Sequence, residues 1–124
     1  MKVWAATCDS AVLDLLNTAV RMRWPSSGRL IVPSSFTRES WTGARDCDLA
    51  VVDTSIASID PCCLIQSVKN DTNIPILVLS DPKSDQTLTA RALASGAEDY
   101  LFKPVEIIDM IFHMEAAAQI RLAK

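Results

Sequence analysis

The sequence predicts an α/β protein: a doubly wound, five-stranded parallel sheet built as (βα)5, with helices on both faces. Two observations carry this expectation. Five short runs rich in apolar and β-branched residues alternate with stretches of helical periodicity. Two of the runs, AVV at 50–52 and ILVL at 76–79, are almost unbroken in hydrophobicity, as in parallel strands covered on both sides. Such alternation folds as a sheet with helical crossovers.

The elements follow in order. Residues 2–7 form the first strand. From Asp9 to about Arg23, apolar Val12, Leu15, Leu16, Ala19 and Val20 recur at helical spacing, with Asp9 or Ser10 as N-cap. Residues 29–32 are the second strand, and SSFTRESWTGA, at 34–44, is a weaker second helix. Residues 48–53 are the third strand. Asp60 caps a third helix whose first position is Pro61. Residues 74–79 are the fourth strand, and 85–95 a fourth helix that Gly96 ends in a left-handed turn. Residues 99–102 are the fifth strand, and the last helix runs from about Val105 towards Lys124.

The 124 residues suit one domain, 49% hydrophobic and 22% charged. A net charge of −3 gives no electrostatic case for gripping nucleic acid. No run reaches membrane-spanning length, and the N-terminal apolar stretch is too short for a secretion signal. The four cysteines, Cys8, Cys47, Cys62 and Cys63, lack C-x-x-C spacing. They read as reduced thiols of a cytoplasmic protein. The tail EAAAQIRLAK, 115–124, doubles as a candidate lead into an output domain.

In a doubly wound sheet the working crevice lies at the carboxyl ends of the strands. There stand Thr7-Cys8-Asp9, Asp53, Ser80-Asp81 and Lys103. A carboxylate as nucleophile, a hydroxyl donor and an ammonium as a point charge suit phosphoryl transfer onto Asp53. The bland alternative is a structural Asp–Lys ion pair beside a serine that caps a helix. With no glycine-rich phosphate loop, nucleotide or flavin binding has little support.

These residues resemble a receiver domain of bacterial two-component response regulators, over essentially the whole chain. The most specific stretch is GAEDYLFKP, 96–104, followed by DLAVVDTSIASID, 48–60, and PILVLSD, 75–81. The resemblance implies a flavodoxin-like fold with strand order 2-1-3-4-5 and a phosphorylation switch. Asp53 would be the phosphoacceptor, and Asp60 keeps the family's acidic position seven residues on. Ser80 and Lys103 would contact the phosphoryl oxygens, and Tyr100 would be the switch aromatic. The partner would be a histidine kinase or another signalling protein, with output through the face of the fourth helix, fifth strand and fifth helix. The chain would at most transfer a phosphoryl group onto its own Asp53, with no independent turnover.

Three departures bear on that mechanism. The family's paired acids after the first strand fall on Thr7 and Cys8, leaving Asp9 alone. A thiol and an uncharged hydroxyl are poor ligands for Mg²⁺. Asp9, Asp53 and the region of Ser55 make at best a weak site. Asp81 stands where the family has a small residue; it would either repel an incoming phosphoryl group by about 1–4 kcal/mol per charge pair at ~4 Å or point outward and cap the turn with Pro82. In the loop after Asp53, the family's proline and glycine are replaced by Ala57 and Pro61. Two readings therefore remain: slow or assisted phosphorylation, or a phosphate-independent pseudo-receiver in which Lys103 pairs directly with Asp53.

Of the weaker signals, His113 reads as a partly exposed helix residue, and Trp24 and Trp41 as helix packing. The last helix carries Ile107, Ile108, Ile111, Phe112, Met114 and Ile120 on more than one face. One stripe would pack on the sheet; the other would either meet a second copy or be absorbed in the core as well.

Overall fold

The computed structural model describes residues 1–82 and 86–122. Five strands, β1 (Lys2–Ala6), β2 (Arg29–Ile31), β3 (Leu49–Asp53), β4 (Ile76–Ser80) and β5 (Asp99–Phe102), alternate with α1 (Ser10–Arg23), α2 (Arg38–Thr42), α3 (Pro61–Thr72), α4 (Gln86–Ala94) and α5 (Ile107–Leu122). All strand pairs are parallel, and the sheet order is β2-β1-β3-β4-β5. This is the expected (βα)5 architecture. The expected start of the fourth helix at Asp85, and the end of the last at Lys124, lie outside the described residues.

Burial follows the two-residue period of a pleated strand. Trp4, Ala6, Val52, Ile76 and Val78 face one core with Leu64, Ile65 and Val68 of α3 and Ala92 of α4. Val3, Ala5, Val51, Leu77 and Leu79 face the other with Leu16 and Ala19 of α1 and Met110 and Met114 of α5. Every residue of β3 and β4 is buried, whereas the outer strands β2 and β5 are half exposed. The unbroken apolar runs thus belong to the strands covered on both sides.

Local chemistry sets the helix ends. Asp9 accepts from the Ala11 N–H and Asp60 from the Cys62 N–H, each at 2.9 Å, as the expected N-caps of α1 and α3. At the end of α4, Gly96 has φ of +127°, with Gly96 N–H bonded to Leu93 O and Ala97 N–H to Ala92 O. That is the paired closure of a Schellman turn. The second helix is shorter than the spacing predicts. It starts after Thr37, which forms a reciprocal capping box with Ser40, and passes into a 3-10 turn at Gly43–Asp46. α2 buries no residue, so packing does not extend it.

At Gly96 an added Cβ would also meet the Lys69 side chain at 2.9 Å. Gly96→Ala should destabilise the fold by about 1–3 kcal/mol, the usual cost of a residue held in disfavoured backbone geometry. Urea denaturation followed by circular dichroism checks this.

Candidate functional site at the carboxyl rim of the sheet

β3 delivers Asp53 to the rim, and the loop beyond folds back over it. Its exposure is 0%. The Ser55 N–H donates to Asp53 Oδ1 at 3.0 Å, and the Ser55 hydroxyl donates to the same oxygen at 2.8 Å. An aspartate that bonds the backbone two residues on is an ordinary turn device. On the other oxygen, Oδ2, the Thr7 hydroxyl donates at 2.7 Å from the end of β1. Lys103 Nζ spans both, 2.8 Å from Oδ1 and 2.9 Å from Oδ2. Its own position is fixed by β5, since the Lys103 N–H donates to Ser80 O at 2.8 Å.

The same ammonium lies 3.4 Å from Asp9 Oδ2 and 3.4 Å from Ser55 Oγ. Asp9 N–H donates to Thr7 Oγ1 at 3.1 Å, while Asp9 Oδ1 caps α1. Asp9, Thr7, Asp53 and Lys103 therefore close a ring of polar contacts joining β1, α1, β3 and β5.

Burial alone would push the Asp53 carboxyl up. The Lys103 ammonium, the Ser55 N–H and hydroxyl and the Thr7 hydroxyl outweigh it and hold the group below its ordinary 3.8. Burial likewise works against the charge on Lys103, but Asp53 and then Asp9 raise it above 10.5.

The other predicted residues stand near but do not all join. Ser80 is buried at the end of β4, and its hydroxyl accepts from Thr89 of α4 at 3.3 Å. Ser80 is thus at the expected rim, with its hydroxyl engaged on the α4 side. The hydroxyls that meet Asp53 are those of Thr7 and Ser55. Tyr100 is exposed on β5, edge-on to Phe102 with centroids 5.2 Å apart. Cys8 is exposed in the β1–α1 loop. Asp81 is exposed and borders a cavity of about 510 Å³ with Asp9, Val12, Leu15, Lys103 and Pro104. Lys103 lines this opening, whereas Asp53, which Lys103 contacts, does not. Away from the rim, His113 Nδ1 lies 2.5 Å from Asp99 Oδ2, and Trp41, packed against the core, donates its Nε1–H to Asp71 at 2.7 Å.

Sequence reasoning missed the donor role of Thr7 and the Thr89 partner of Ser80. A hydroxyl two residues before an N-cap, and a threonine on the first turns of a helix, carry no distinctive signal alone. The Ser55 contact was open to inference, because it is local to the Asp53 turn.

Lys103→Met should cost about 3–5 kcal/mol, since it strands a buried carboxylate. The pH dependence follows from the two shifts. Asp53, lowered when folded, lends stability that is complete above its ordinary 3.8 and lost as pH falls through its lower folded value. Lys103, raised when folded, lends stability that is complete below 10.5 and lost as pH rises through its higher folded value. The advantage of the wild type over Lys103→Met should be flat near neutrality and shrink below pH ~4. Denaturant melts at stepped pH measure it.

The family model of the response regulator receiver domain matches residues 9–115. The heme response regulator HssR of Staphylococcus haemolyticus (strain JCSC1435) is 38% identical over 71 residues, covering 56% of this chain and 30% of that protein. The HssR of Staphylococcus aureus (strain JH9) is 39% identical over 71 residues, again 56% and 30%. The chain thus matches 30% of the length of these relatives. Among solved structures, a receiver domain protein from Clostridium thermocellum superposes with a TM-score of 0.80 at 19% identity, covering 98% of this chain and 97% of that one. A CheY-like receiver from Methanospirillum hungatei JF-1 gives 0.79 at 13%, covering 98% and 96%. The two structures share the fold, and the family match covers the rim from Asp9 to Lys103, so the chain belongs to the response regulator receiver domain family and is a receiver domain of two-component signalling.

Proposed function

We propose that this receiver works as a phosphate-independent interaction module, with Asp53 held by Lys103 rather than phosphorylated. One observation carries the reading: the Asp53 carboxylate is fully buried and both oxygens are engaged by Lys103, Thr7 and Ser55. A phosphoryl donor has to reach an oxygen in line. Here Lys103 lines the open cavity and contacts both Asp53 oxygens. The exposed Asp81 carboxylate adds negative charge at the approach.

A second reading keeps Asp53 as phosphoacceptor, with Ser80, Lys103 and Tyr100 in the switch roles. What favours it is that Asp53 ends β3 with Lys103 within 2.8 Å, the pair that phosphoryl transfer needs. Response regulator receivers interact with histidine kinases. On either reading the partner is such a kinase or another signalling protein, met in the cytoplasm. Incubation with acetyl phosphate, or with beryllofluoride, at ordinary Mg²⁺ separates the two. Intact-protein mass should show no phosphoryl addition, and the Asp53 amide should keep its NMR position. A stoichiometric mass gain abolished by Asp53→Asn overturns the first reading.

Output, on this reading, runs through the face of α4, β5 and α5. Ile108 (68% exposed) and Phe112 (69%) lie four residues apart on the outer side of α5, and Phe102 (47%), Tyr100 and Leu93 extend the apolar surface over β5 and α4. A second copy of the chain is the partner we assign to it. Phe112→Ser should shift the protein to monomer in analytical ultracentrifugation while leaving the melting temperature within a few degrees, because within the protomer the side chain is exposed and takes no part in the core.

A further inference from the structure

Receiver domains typically bind Mg²⁺ at the phosphorylation site. The residues of this chain do not fit that ion. Mg²⁺ wants hard oxygens in near-octahedral array. The β1–α1 loop offers a hydroxyl at Thr7 and a thiol at Cys8. Among the described residues, no group of three or more His, Cys, Asp or Glu side chains is arranged to hold a metal. The two carboxylates that remain are already engaged. Asp53 has Thr7, Ser55 and Lys103 on its oxygens. Asp9 caps α1 with Oδ1 and faces the Lys103 ammonium with Oδ2. A dication drawn to Asp9 and Asp53 would have to lie against that ammonium.

We infer that the Lys103 ammonium and the Thr7 hydroxyl together take the place of the divalent cation, clasping the β1–α1 loop to β3 and β5 without metal. The inference rests on the same engagement of Asp53 as the reading above, and extends it to ion independence. The clasp is the closed ring Asp9 N–H to Thr7 Oγ1, Thr7 O–H to Asp53 Oδ2, Lys103 Nζ to Asp53, and Lys103 Nζ back to Asp9 Oδ2. A bound dication would tie the same strand ends by drawing carboxylates together. Here the ammonium supplies the shared positive charge. Thr7 supplies a proton where the family has a further acid, so the group facing Asp53 attracts it instead of repelling it. Thr7 is a positioning residue in this account.

The test is a Mg²⁺ titration of the full chain, read by backbone amide shifts at Thr7, Asp9 and Thr54 and by melting temperature. The wild type should show no saturable shift and no rise in melting temperature up to tens of millimolar. Thr7→Asp/Cys8→Asp should gain a saturable response at those amides. Thr7→Val should lower the melting temperature without gaining a Mg²⁺ response, and Thr7→Ser should restore it. A saturable wild-type response in the low millimolar range overturns the inference, as does a Thr7→Val variant as stable as wild type. Should the double variant fail to fold, the Thr7→Val and Thr7→Ser pair still decides. Phosphorylation of Asp53 in a wild type that ignores Mg²⁺ removes only the phosphate-independent reading. A wild type that binds Mg²⁺ but takes no phosphoryl group removes only this inference.

Discussion

Asp53 carries a negative charge to a place that water does not reach, and Lys103 is the group that makes this tolerable. A buried carboxylate without partners would be protonated or would not be buried. Its direction of shift, below the ordinary value despite burial, shows that the partners win. Lys103 reaches it from β5, across the end of β4. The ion pair therefore ties strands that are not neighbours in the sheet. It fixes the β5 exit, the loop carrying Ser55 and, through Asp9, the start of α1.

The same charges explain why Thr7 and Cys8 are compatible with a stable rim. Asp9 and Asp53 bring two negative charges to the ring and Lys103 one positive charge. One ammonium leaves that set with a net charge of −1. Acids at Thr7 and Cys8 would add two more negative charges that no described cation in the ring offsets, and an external dication would then be required. The hydroxyl reverses the sign of the local interaction by donating to Asp53. The Thr7 hydroxyl and the Asp53–Lys103 pair are thus parts of one electrostatic arrangement.

The parts of the fold that were legible in the sequence are those where local chemistry and burial agree. β3 and β4 could be read because both faces are covered and every position is apolar up to the functional residue. Asp9, Asp60 with Pro61, and Gly96 could be read because caps and turn closures act within a few residues. The second helix could not be bounded. Its Ser and Thr residues offer several caps, and no buried stripe chooses among them. At the site, Asp53 and Lys103 were legible as strand ends. The direction of the Ser80 hydroxyl was not, because it depends on where α4 places Thr89. The role of Thr7 was hidden for the same reason, its acceptor being forty-six residues away in the chain.

The rim and the outer face are physically continuous. Lys103 follows Phe102 directly, its N–H bonds Ser80 O, and Ser80 Oγ bonds Thr89 on α4. In a receiver that is phosphorylated, chemistry at the aspartate can do work on such a chain of contacts. Under the proposed phosphate-independent function, with Asp53 engaged by groups of the protein itself, the free energy for changing the face comes from the partner. A partner must bury apolar surface such as Phe112, Ile108 and Phe102 to gain it, at roughly 25 cal/mol per Å² removed from water. To move Lys103 as well, it would have to meet the cost of leaving Asp53 unpaired, about 3–5 kcal/mol. That sum favours partners that bind the face as it stands over partners that remodel the rim. The ion pair then acts as a brace that keeps one arrangement of β5 and α4 on display.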